Sequence, residues 1–502
     1  MGLGSGAVAT ADDYSERNFG GKTFAAFESP LPAHRAAAAA LHDRLVGIGF
    51  GPDRAAALFG LAEIADVRAS RAAYFDAFVL PHDAAGRAAR FFVLHLPEPE
   101  SELRAWLGDA GVDLLIEMSA LVTVDGRRRS LVSASWFAGR LIFADARAYN
   151  AVWPGEPFAD YVMPPGGDSV GLTRVAPRTP RRATLDVCCG AGAQALAAAA
   201  YSEGVVGVDL NPRALRFARF NAAVNRIEHA TFVPGDVYDS LGDARFDAIV
   251  ANPPFVPWPP DDDELLYRGG GATGDDVLAR ILAGAIARLE PHGSLAIVAD
   301  FANAASLAER IARWQGEPRR TLIVLQHHYE LLAYAETHAA HHDDSARRQA
   351  QVVRLLRHFE RADIRSLDFG YIVQDATPGS AHLVRTAAPL TASISSDIEA
   401  WFVHQRRLAA GEVAGLLLEL APGLGLVDVA ERAADGKTSA SCYVAPGPAS
   451  LHQSCAVARS AFALLIRVAA GGLRPRDVTE ETAARELHEL LRGGLIRLQA
   501  TS

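Results

Sequence analysis

The chain is poor in lysine, which limits what its charge indicates about partners. Lys22 and Lys437 are its only lysines, although Lys and Arg together number 49. This preference for arginine accompanies abundant alanine, so it indicates a compositional bias rather than a surface built for nucleic acid. The formal net charge of −10 at pH 7 likewise does not favour nucleic-acid binding. Proteins that bind nucleic acid carry a cluster of basic residues on one face, and an acidic net charge gives no indication of one.

Paired cysteines and long hydrophobic runs are also missing. The four cysteines show no C-x-x-C spacing, which argues against a disulfide framework and a cysteine zinc site. No run of 18 apolar residues occurs, and no basic segment precedes an apolar core near the N-terminus. We therefore expect a cytoplasmic protein with no membrane partner and no metal. The cysteines are Cys188, Cys189, Cys442 and Cys455.

Length and composition predict several folded domains. Half of the 502 residues are apolar and 22% are charged, which excludes disorder as the main state, and no fixed repeat period is present. We predict a mainly helical N-terminal domain with a small sheet over residues 1–150. A central domain over 151–380 and an α+β C-terminal domain over 381–502 follow, and a winged-helix-like fold is one option for each flanking domain.

The central third predicts the fold class. From Thr184 onward, short strands alternate with helices, which favours an α/β, Rossmann-like, doubly wound sheet of seven strands. A helical insertion is predicted before the last strand. The predicted strands are 184–188, 205–209, 231–233, 246–251, 294–300, 321–325 and 366–373. The predicted helices are 194–201, 212–224, 275–289, 304–314 and 327–362. Outside this region, we predict strands at 114–118, 121–124, 131–137 and 141–145, and a helix at 393–418.

Two strand ends carry the pattern of a nucleoside-binding crevice. The first predicted strand runs through Asp186 into Cys188–Gly192, where Gly190 and Gly192 permit a sharp turn and a close approach to a ligand. A tight turn alone explains such a loop equally well. The next strand ends in Asp209, about 20 residues on, where a carboxylate can accept from both ribose hydroxyls. Asp209 or Asn211 could also cap the following helix.

Two further strand ends complete the pattern. Asp236, followed by Val237, can accept a hydrogen bond from an adenine amine. Asn252-Pro253-Pro254-Phe255 follows a buried strand, and its prolines stiffen the loop and remove two N–H donors. The Asn252 amide oxygen and the Pro253 carbonyl can then hold the two hydrogens of a planar NH2 group, while Phe255 packs on its flat face. This arrangement aims a nitrogen lone pair at an electrophilic methyl group by positioning.

These four motifs resemble those of class I S-adenosyl-L-methionine-dependent methyltransferases of the small-methyltransferase type. Similar families are the HemK-like glutamine N5-methyltransferases and the N6-adenine or rRNA guanine methyltransferases. The resemblance implies S-adenosyl-L-methionine as cofactor and S-adenosyl-L-homocysteine as product. The cofactor-binding residues it implies are Asp186, Cys188, Cys189, Gly190, Ala191, Gly192, Asp209, Leu210, Asp236, Val237 and Asn252. The catalytic residues it implies are Asn252, Pro253, Pro254 and Phe255.

The sequence leaves the acceptor open. A protein glutamine and a nucleobase both offer the planar nitrogen that the NPPF loop can hold. A small metabolite methylated on nitrogen, sulfur or oxygen is the alternative within enzymes, and a non-catalytic S-adenosylmethionine-binding module is the alternative outside them. His338 and His342 could share a helix face as metal ligands, but a solvated insertion explains them better. The acidic run 261–264 is either a solvated cap or a feature that repels phosphates.

Overall fold

The computed structural model describes most of the chain. The described residues are 27, 31–67, 71–146, 160–260, 268–339, 345–385, 390, 392–410, 418–420, 424–432, 438–446, 455–478, 481–492 and 496–498. The acidic run 261–264 and His342 lie outside them. Within the described ranges, no helix has the length and hydrophobicity needed to cross a membrane.

The N-terminal part consists of helices followed by two hairpins. Its helices are α1 (Pro32–Gly47), α2 (Ala72–Tyr74), α3 (Ala84–Phe92), α4 (Glu100–Leu107) and α5 (Asp109–Glu117). Its strands are β1 (Leu121–Val124), β2 (Arg127–Ser130), β3 (Val132–Phe137) and β4 (Arg140–Asp145). The β1–β2 turn is Asp125-Gly126, both with positive φ, which suits the right-handed twist of the paired strands.

The central part is built on one large sheet. Its strands are β5 (Arg181–Val187), β6 (Ser202–Asp209), β7 (Ala230–Pro234), β8 (Phe246–Ala251), β9 (Leu289–Ala302), β10 (Arg319–Tyr329), β11 (Leu367–Pro378) and β12 (Ala381–Arg385). Its helices are α6 (Gly167–Val175), α7 (Ala193–Ala198), α8 (Pro212–Val224), α9 (Asp276–Arg288), α10 (Leu307–Gln315), α11 (Leu331–His338) and α12 (Ser345–Arg361).

The strand order of this sheet places a ligand crevice. The order is β12-β10-β11-β9-β8-β5-β6-β7. Strands β5 to β9 are parallel, and β11 is antiparallel to β9 and β10. The chain proceeds to one side of β5 through β6 and β7 and to the other side through β8 and β9. Ligands of doubly wound sheets bind where the order reverses in this way, outside the carboxyl ends of the strands.

The sheet confirms the predicted α/β fold and adds detail to it. It has eight strands rather than seven, because β12 pairs parallel to β10. This strand is short and follows Pro378-Gly379, a pattern that indicated the end of the sheet. The division of the chain near residues 150 and 380, like the winged-helix option, stays a prediction.

Three sequence-based assignments were wrong. Residues 114–118 belong to helix α5 and its end, because an apolar run of this length does not by itself distinguish strand from helix. The stretch 327–362 begins as the end of β10 and becomes helical only at Leu331. The helix predicted for 393–418 ends at Ala409, and Leu418–Leu420 form a strand.

The C-terminal part combines helices with two small sheets. Its helices are α13 (Ser395–Ala409), α14 (Arg459–Ala469) and α15 (Glu481–Arg492). Strands β13 (Leu418–Leu420) and β17 (Ile496–Leu498) pair with each other, and β14 (Leu424–Arg432), β15 (Thr438–Pro446) and β16 (Cys455–Val457) form the second sheet.

A buried polar network joins the β3–β4 hairpin to α8. The side chains of Asn221 and Asn225 exchange hydrogen bonds of 2.8–2.9 Å with the backbone of Phe143 and Leu141 in β4. They satisfy polar backbone groups of a hairpin edge that would otherwise be buried without partners. One hydrophobic core is continuous across this junction. The N-terminal part therefore packs directly on the layer that carries the crevice.

Candidate active site

The four sequence motifs meet at one edge of the central sheet. The loop 188–192 follows β5, Asp209 ends β6, Asp236 follows β7, and Asn252 follows β8. Because these strands are parallel and adjacent, their carboxyl ends lie at the same edge, beside the reversal of strand order. The loops that follow the strands therefore surround the crevice.

The first loop adopts a tight, left-handed backbone. Cys188, Gly190 and Gly192 have φ angles of 59°, 53° and 80°. A Cβ atom on Gly192 would lie 3.1 Å from the Cβ of Ala218 and 3.2 Å from the Phe232 ring, and its φ is positive, so the loop packs tightly on α8 and β7 at a position that favours glycine. A Cβ atom on Gly190 would have no atom of the described residues within 4 Å apart from its chain neighbours. This combination fixes the loop on its inner side and leaves its outer side open.

The two loop cysteines are packing residues. Cys189 is 6% exposed. Burial raises the pKa of both thiols well above their ordinary value, and the carboxylate of Asp209 adds to the effect. A thiol that stays protonated is a poor nucleophile and resists oxidation. The pair therefore fills space under the loop.

Asp186 places an unpaired carboxylate oxygen beneath the loop. Its Oδ2 accepts a hydrogen bond of 2.8 Å from the backbone of Ala195, while its Oδ1 is buried and has no partner in the described structure. Burial raises the pKa of Asp186 to about 8. A cationic group nearby would reverse that shift, since an opposite charge favours the ionised carboxylate.

Asp209 joins two of the loops. Its Oδ2 accepts from the backbone N–H of Gly190 at 2.7 Å, and its Oδ1 accepts from that of Asn211 at 2.8 Å. Each carboxylate oxygen has a second lone pair available. Burial raises the pKa of Asp209, and the two backbone hydrogen bonds oppose this. The next residue, Leu210, is half-buried, and Asn211 caps α8 by accepting from the Arg213 N–H.

The third loop contacts helix α9 at two points. Asp236 forms an ion pair of 2.8 Å with Arg280 of α9, a partner that the motif did not reveal. Val237 has a φ of 57°, a rare conformation for a β-branched residue and a sign of local strain. The Tyr238 hydroxyl donates to the carbonyl of Ile281 in α9, so this ring packs in the core.

The NPPF loop is oriented by helix α6. The side-chain nitrogen of Asn252 donates to Asp168 Oδ2 at 2.8 Å and to Ser169 Oγ at 3.1 Å. Both amide hydrogens are used in this way, so the amide cannot flip without losing them. The Asn252 Oδ1 accepts no hydrogen bond within the described part of the chain, and it is available to a donor in the crevice. Pro253 is buried, and Pro254 and Phe255 are half-buried.

Sequence reasoning missed the role of Asp168 and Ser169. In sequence, Gly166–Ser169 resembles only a glycine-rich linker. Helix α6 is held in place by the side chain of Gln194 in α7, which donates to the carbonyl of Ser169 at 2.8 Å. The only indication in the sequence is that two polar residues directly follow two glycines. This pattern is too common to predict that the two residues orient Asn252.

Alanine at position 168 is expected to lower kcat by roughly tenfold to a hundredfold, since a modest misplacement of a positioning group has that cost. The affinity for S-adenosylmethionine should stay within a few-fold, because the carboxylate acts on Asn252. Steady-state kinetics and calorimetry on Asp168→Ala measure both quantities. Asp243→Ala, a change at an exposed acid, is the control. Equal losses of kcat and cofactor affinity would contradict an orienting role.

The glycine-rich loop 268–274 supports Phe255 from behind. A Cβ atom on Gly270 would lie 2.8 Å from the Phe255 Cα, and one on Gly274 would lie 2.3 Å from the Phe255 carbonyl oxygen. The backbone of Val256 bonds to both Arg268 and Gly270. The glycines are therefore required by close backbone contact with the NPPF loop.

The inserted helices bring an aromatic and acidic cluster to the same edge. Asp300 of β9 is 3% exposed, and its Oδ2 accepts from the Tyr334 hydroxyl at 2.8 Å. The Tyr334 ring contacts Tyr329 and His338, with ring centroids 5.2 and 4.2 Å apart. These residues form no contiguous sequence motif, because they come from separate elements, and sequence reasoning did not bring them together.

His338 belongs to this cluster, whereas His342, the other half of the pair considered as metal ligands, lies outside the described residues. Burial lowers the pKa of His338 to about 3, and the charge of Arg268 adds to this. Among the described residues, no three His, Cys, Asp or Glu side chains lie close enough together to hold a metal ion. The neutral ring of His338 packs against Tyr334.

Comparison with known proteins shows similarity over the part of the chain that contains these loops. Residues 169–310 match the methyltransferase small domain family. The chain is 32% identical over 242 residues to the release factor glutamine methyltransferase of Deinococcus radiodurans, which covers 45% of this chain and 77% of that protein. It is 35% identical over 141 residues to the ribosomal protein uL3 glutamine methyltransferase of Bradyrhizobium diazoefficiens, which covers 26% of this chain and 44% of that protein.

One similar solved structure has a low sequence identity and a low TM-score. Geranyl diphosphate C-methyltransferase from Streptomyces coelicolor is 14% identical, with 42% of this chain and 77% of that chain covered and a TM-score of 0.28. A score of this size carries no argument about function. The function of this chain is therefore inferred from the sequence relatives and from the geometry of the crevice.

Proposed function

The chain belongs to the methyltransferase small-domain family of class I S-adenosylmethionine-dependent enzymes, and on this premise we propose that it methylates the side-chain amide nitrogen of a protein glutamine. The observation that carries the proposal is the fixed amide of Asn252, whose nitrogen is bound by Asp168 and Ser169 and whose oxygen faces no partner in the described structure. An acceptor oxygen held in one direction suits a planar NH2 group.

The residues of the crevice fit the cofactor. The unpaired Oδ1 of Asp186 offers a place for an ammonium group, and the open side of the loop at Gly190 leaves space for a ligand. Asp209 has lone pairs for ribose hydroxyls, and Asp236, Val237 and Leu210 line the predicted adenine side. When bound, S-adenosylmethionine supplies an electrophilic methyl group.

The protein's own part in the reaction is positioning. Asn252 Oδ1 and the Pro253 carbonyl accept the two hydrogens of the acceptor nitrogen, which directs its lone pair towards the methyl donor. Pro254 stiffens the loop, and Phe255 packs on the flat face of the amide. Orientation of this kind can supply several kcal/mol of a barrier, about 7–11 in well-oriented intramolecular reactions.

Two named relatives act on protein glutamines, in a release factor and in a ribosomal protein, which favours a protein acceptor over a nucleobase. An acceptor of the translation machinery would place this enzyme in the cytoplasm. The flanking parts of the chain would then recognise the folded acceptor around its glutamine.

Alanine at position 209 is expected to weaken S-adenosylmethionine binding roughly tenfold to a hundredfold. The ribose hydroxyls lose a charged hydrogen-bond acceptor, an interaction of about 1.5–3 kcal/mol, and Gly190 loses its anchor. Isothermal calorimetry on Asp209→Ala measures the dissociation constant. Asp209→Asn keeps one acceptor oxygen and should lie between the variant and the wild type. An unchanged constant in the alanine variant would remove Asp209 from the cofactor site.

The test of the function uses methyl-labelled S-adenosylmethionine, purified protein, and a cell extract with and without desalting. We expect label in the protein fraction that resists nuclease and is lost with protease, and a methylated glutamine located by mass spectrometry. Asn252→Ala is the matched inactive control. Label in RNA would replace the glutamine with a nucleobase amine. Label found only before desalting would indicate a small metabolite and contradict a macromolecular acceptor.

A further inference from the structure

Asp300 lies on the face of the sheet that carries the acceptor loop. In the parallel pairing of β8 and β9, Ala251 is opposite Ile297, so Asp300 is three residues further along and level with the NPPF loop. Side chains alternate along a strand. Val298 and Ala296 pack with Leu172 of α6, and Asp300 therefore points to the same α6 side.

The environment of Asp300 leaves one of its oxygens without a partner. Tyr334 of α11 donates to Oδ2, whereas Oδ1 is buried and accepts no hydrogen bond in the described structure. Burial raises the pKa of Asp300 to about 7, the Tyr334 hydrogen bond opposes this, and the charge of Asp168 adds to it. Tyr329 of β10 is also close enough to interact with the charge of Asp300, and the charge of Arg268 acts on Tyr334 and His338 in the same cluster.

Asp168 connects this carboxyl group to the acceptor site. The same Asp168 whose charge acts on Asp300 holds the side-chain nitrogen of Asn252 at 2.8 Å. Asn252 and the carbonyl of Pro253 are neutral, so they can accept hydrogen bonds but cannot take up a proton at neutral pH. Methyl transfer to a nitrogen that carries two hydrogens releases one proton, and the reaction needs a group to receive it.

We propose that Asp300 is the catalytic base, a carboxylate whose unpaired Oδ1 receives the proton released by the acceptor nitrogen. This inference rests on the proposed N-methyl transfer. The nitrogen lone pair forms the new N–C bond as the C–S bond breaks and its electron pair stays on sulfur. The N–H bond then breaks and its electron pair stays on nitrogen. The proton passes to Oδ1 of Asp300, directly or across one water, and later leaves to solvent.

The position of its pKa suits Asp300 to this role. A base works best when its pKa lies near the working pH, and a fully exposed aspartate, near 3.9, is far below it. The inserted helices contribute by placing the Tyr334 hydroxyl on the other oxygen. That hydrogen bond favours the ionised form and keeps the carboxylate ready near pH 7.

The test compares Asp300→Asn and Tyr334→Phe with the wild type across pH, with the extract protein fraction as acceptor. The wild-type kcat should fall below about pH 7, where Asp300 takes up a proton. In Asp300→Asn, kcat should fall roughly a hundredfold to ten-thousandfold. The decrease of kcat at low pH should also disappear from its pH profile. Tyr334→Phe removes a hydrogen bond that lowers the pKa of Asp300, so its acid limb should move to higher pH with the maximum rate largely kept.

A second measurement guards against a merely structural effect. Carbon-13 spectra of the labelled aspartate carboxyls should show, besides Asp186 near pH 8, a group titrating near pH 7 in the wild type. This second signal should move to higher pH in Tyr334→Phe and be absent in Asp300→Asn, while the Asp186 signal stays in both variants. Cofactor affinity and unfolding midpoint should match the wild type in Asp300→Asn. Wild-type turnover in that variant, or an unmoved limb in Tyr334→Phe, would overturn the inference. Absence of any labelled nitrogen in the wild-type reaction would instead overturn the proposed function.

Discussion

Alanine at position 252 is expected to reduce kcat by roughly a hundredfold to a thousandfold, the typical loss when one preorganised polar group is removed from a reacting centre. The affinity for S-adenosylmethionine should stay within a few-fold, because Asn252 acts on the acceptor. The measurement is single-turnover transfer of labelled methyl groups, together with calorimetry for the cofactor. Near-normal turnover would remove the NPPF loop from the mechanism.

Exchanging the residue types at positions 168 and 252 tests more directly whether their hydrogen bond orients the loop. Asn252→Asp should also be impaired, because a carboxylate cannot donate to Asp168 and the two like charges repel. Adding Asp168→Asn restores a donor and an acceptor at this pair with their positions reversed. The double variant should therefore recover part of the activity that the single variant loses. If the double variant were no better than Asn252→Asp alone, the hydrogen bond between these residues would not be what orients the loop.

Methionine at position 213 is expected to lower the free energy of unfolding by about 3–5 kcal/mol, the usual cost of breaking a buried ion pair. Arg213 of α8 and Asp145 of β4 are 2% and 0% exposed, with Nη2 and Oδ1 2.6 Å apart. Loss of the guanidinium leaves a carboxylate buried without its counter-charge. Urea unfolding followed by circular dichroism measures the change.

Two further variants separate the charge effect from lost packing. Asp145→Leu combined with Arg213→Met removes both charges, and it should recover much of the lost stability because no unpaired ion remains buried. Asp43→Ala breaks the exposed pair with Arg226 and should leave the unfolding midpoint close to that of the wild type. If Arg213→Met alone behaved like Asp43→Ala, the N-terminal hairpin would not depend on this pair.

The main features of the central fold could be predicted because its pattern is local. Helix α8 begins and ends where the sequence predicted, since Asn211 and Pro212 are strong start signals. Strand β8 was also predicted with its observed bounds, as a largely apolar run that ends before Asn252-Pro253. The strand Ala381–Arg385 was missed, because a five-residue pattern after a proline and a glycine resembles a loop.

The candidate site was predictable only where it is carried by contiguous motifs. Asp186, Asp209, Asp236 and Asn252 each lie at or near the end of a strand, so parallel pairing brings them to one edge. The partner of Asp236 was not predictable, because Arg280 lies in a helix more than forty residues further along the chain. The contact depends on how α9 crosses the sheet, and no spacing in the sequence records that.

The sequence by itself determined the fold class, the order in which the motifs at the strand ends follow one another, and the methyltransferase family. These properties follow from local periodicity and from loops that join consecutive elements. Tertiary structure alone decided which way the Asn252 amide faces, through Asp168, and which hydroxyl bonds the buried carboxyl group of Asp300, through α11. The physical reason is that hydrogen-bond direction and burial depend on groups distant along the chain, and these become neighbours only when the sheet and its inserted helices pack.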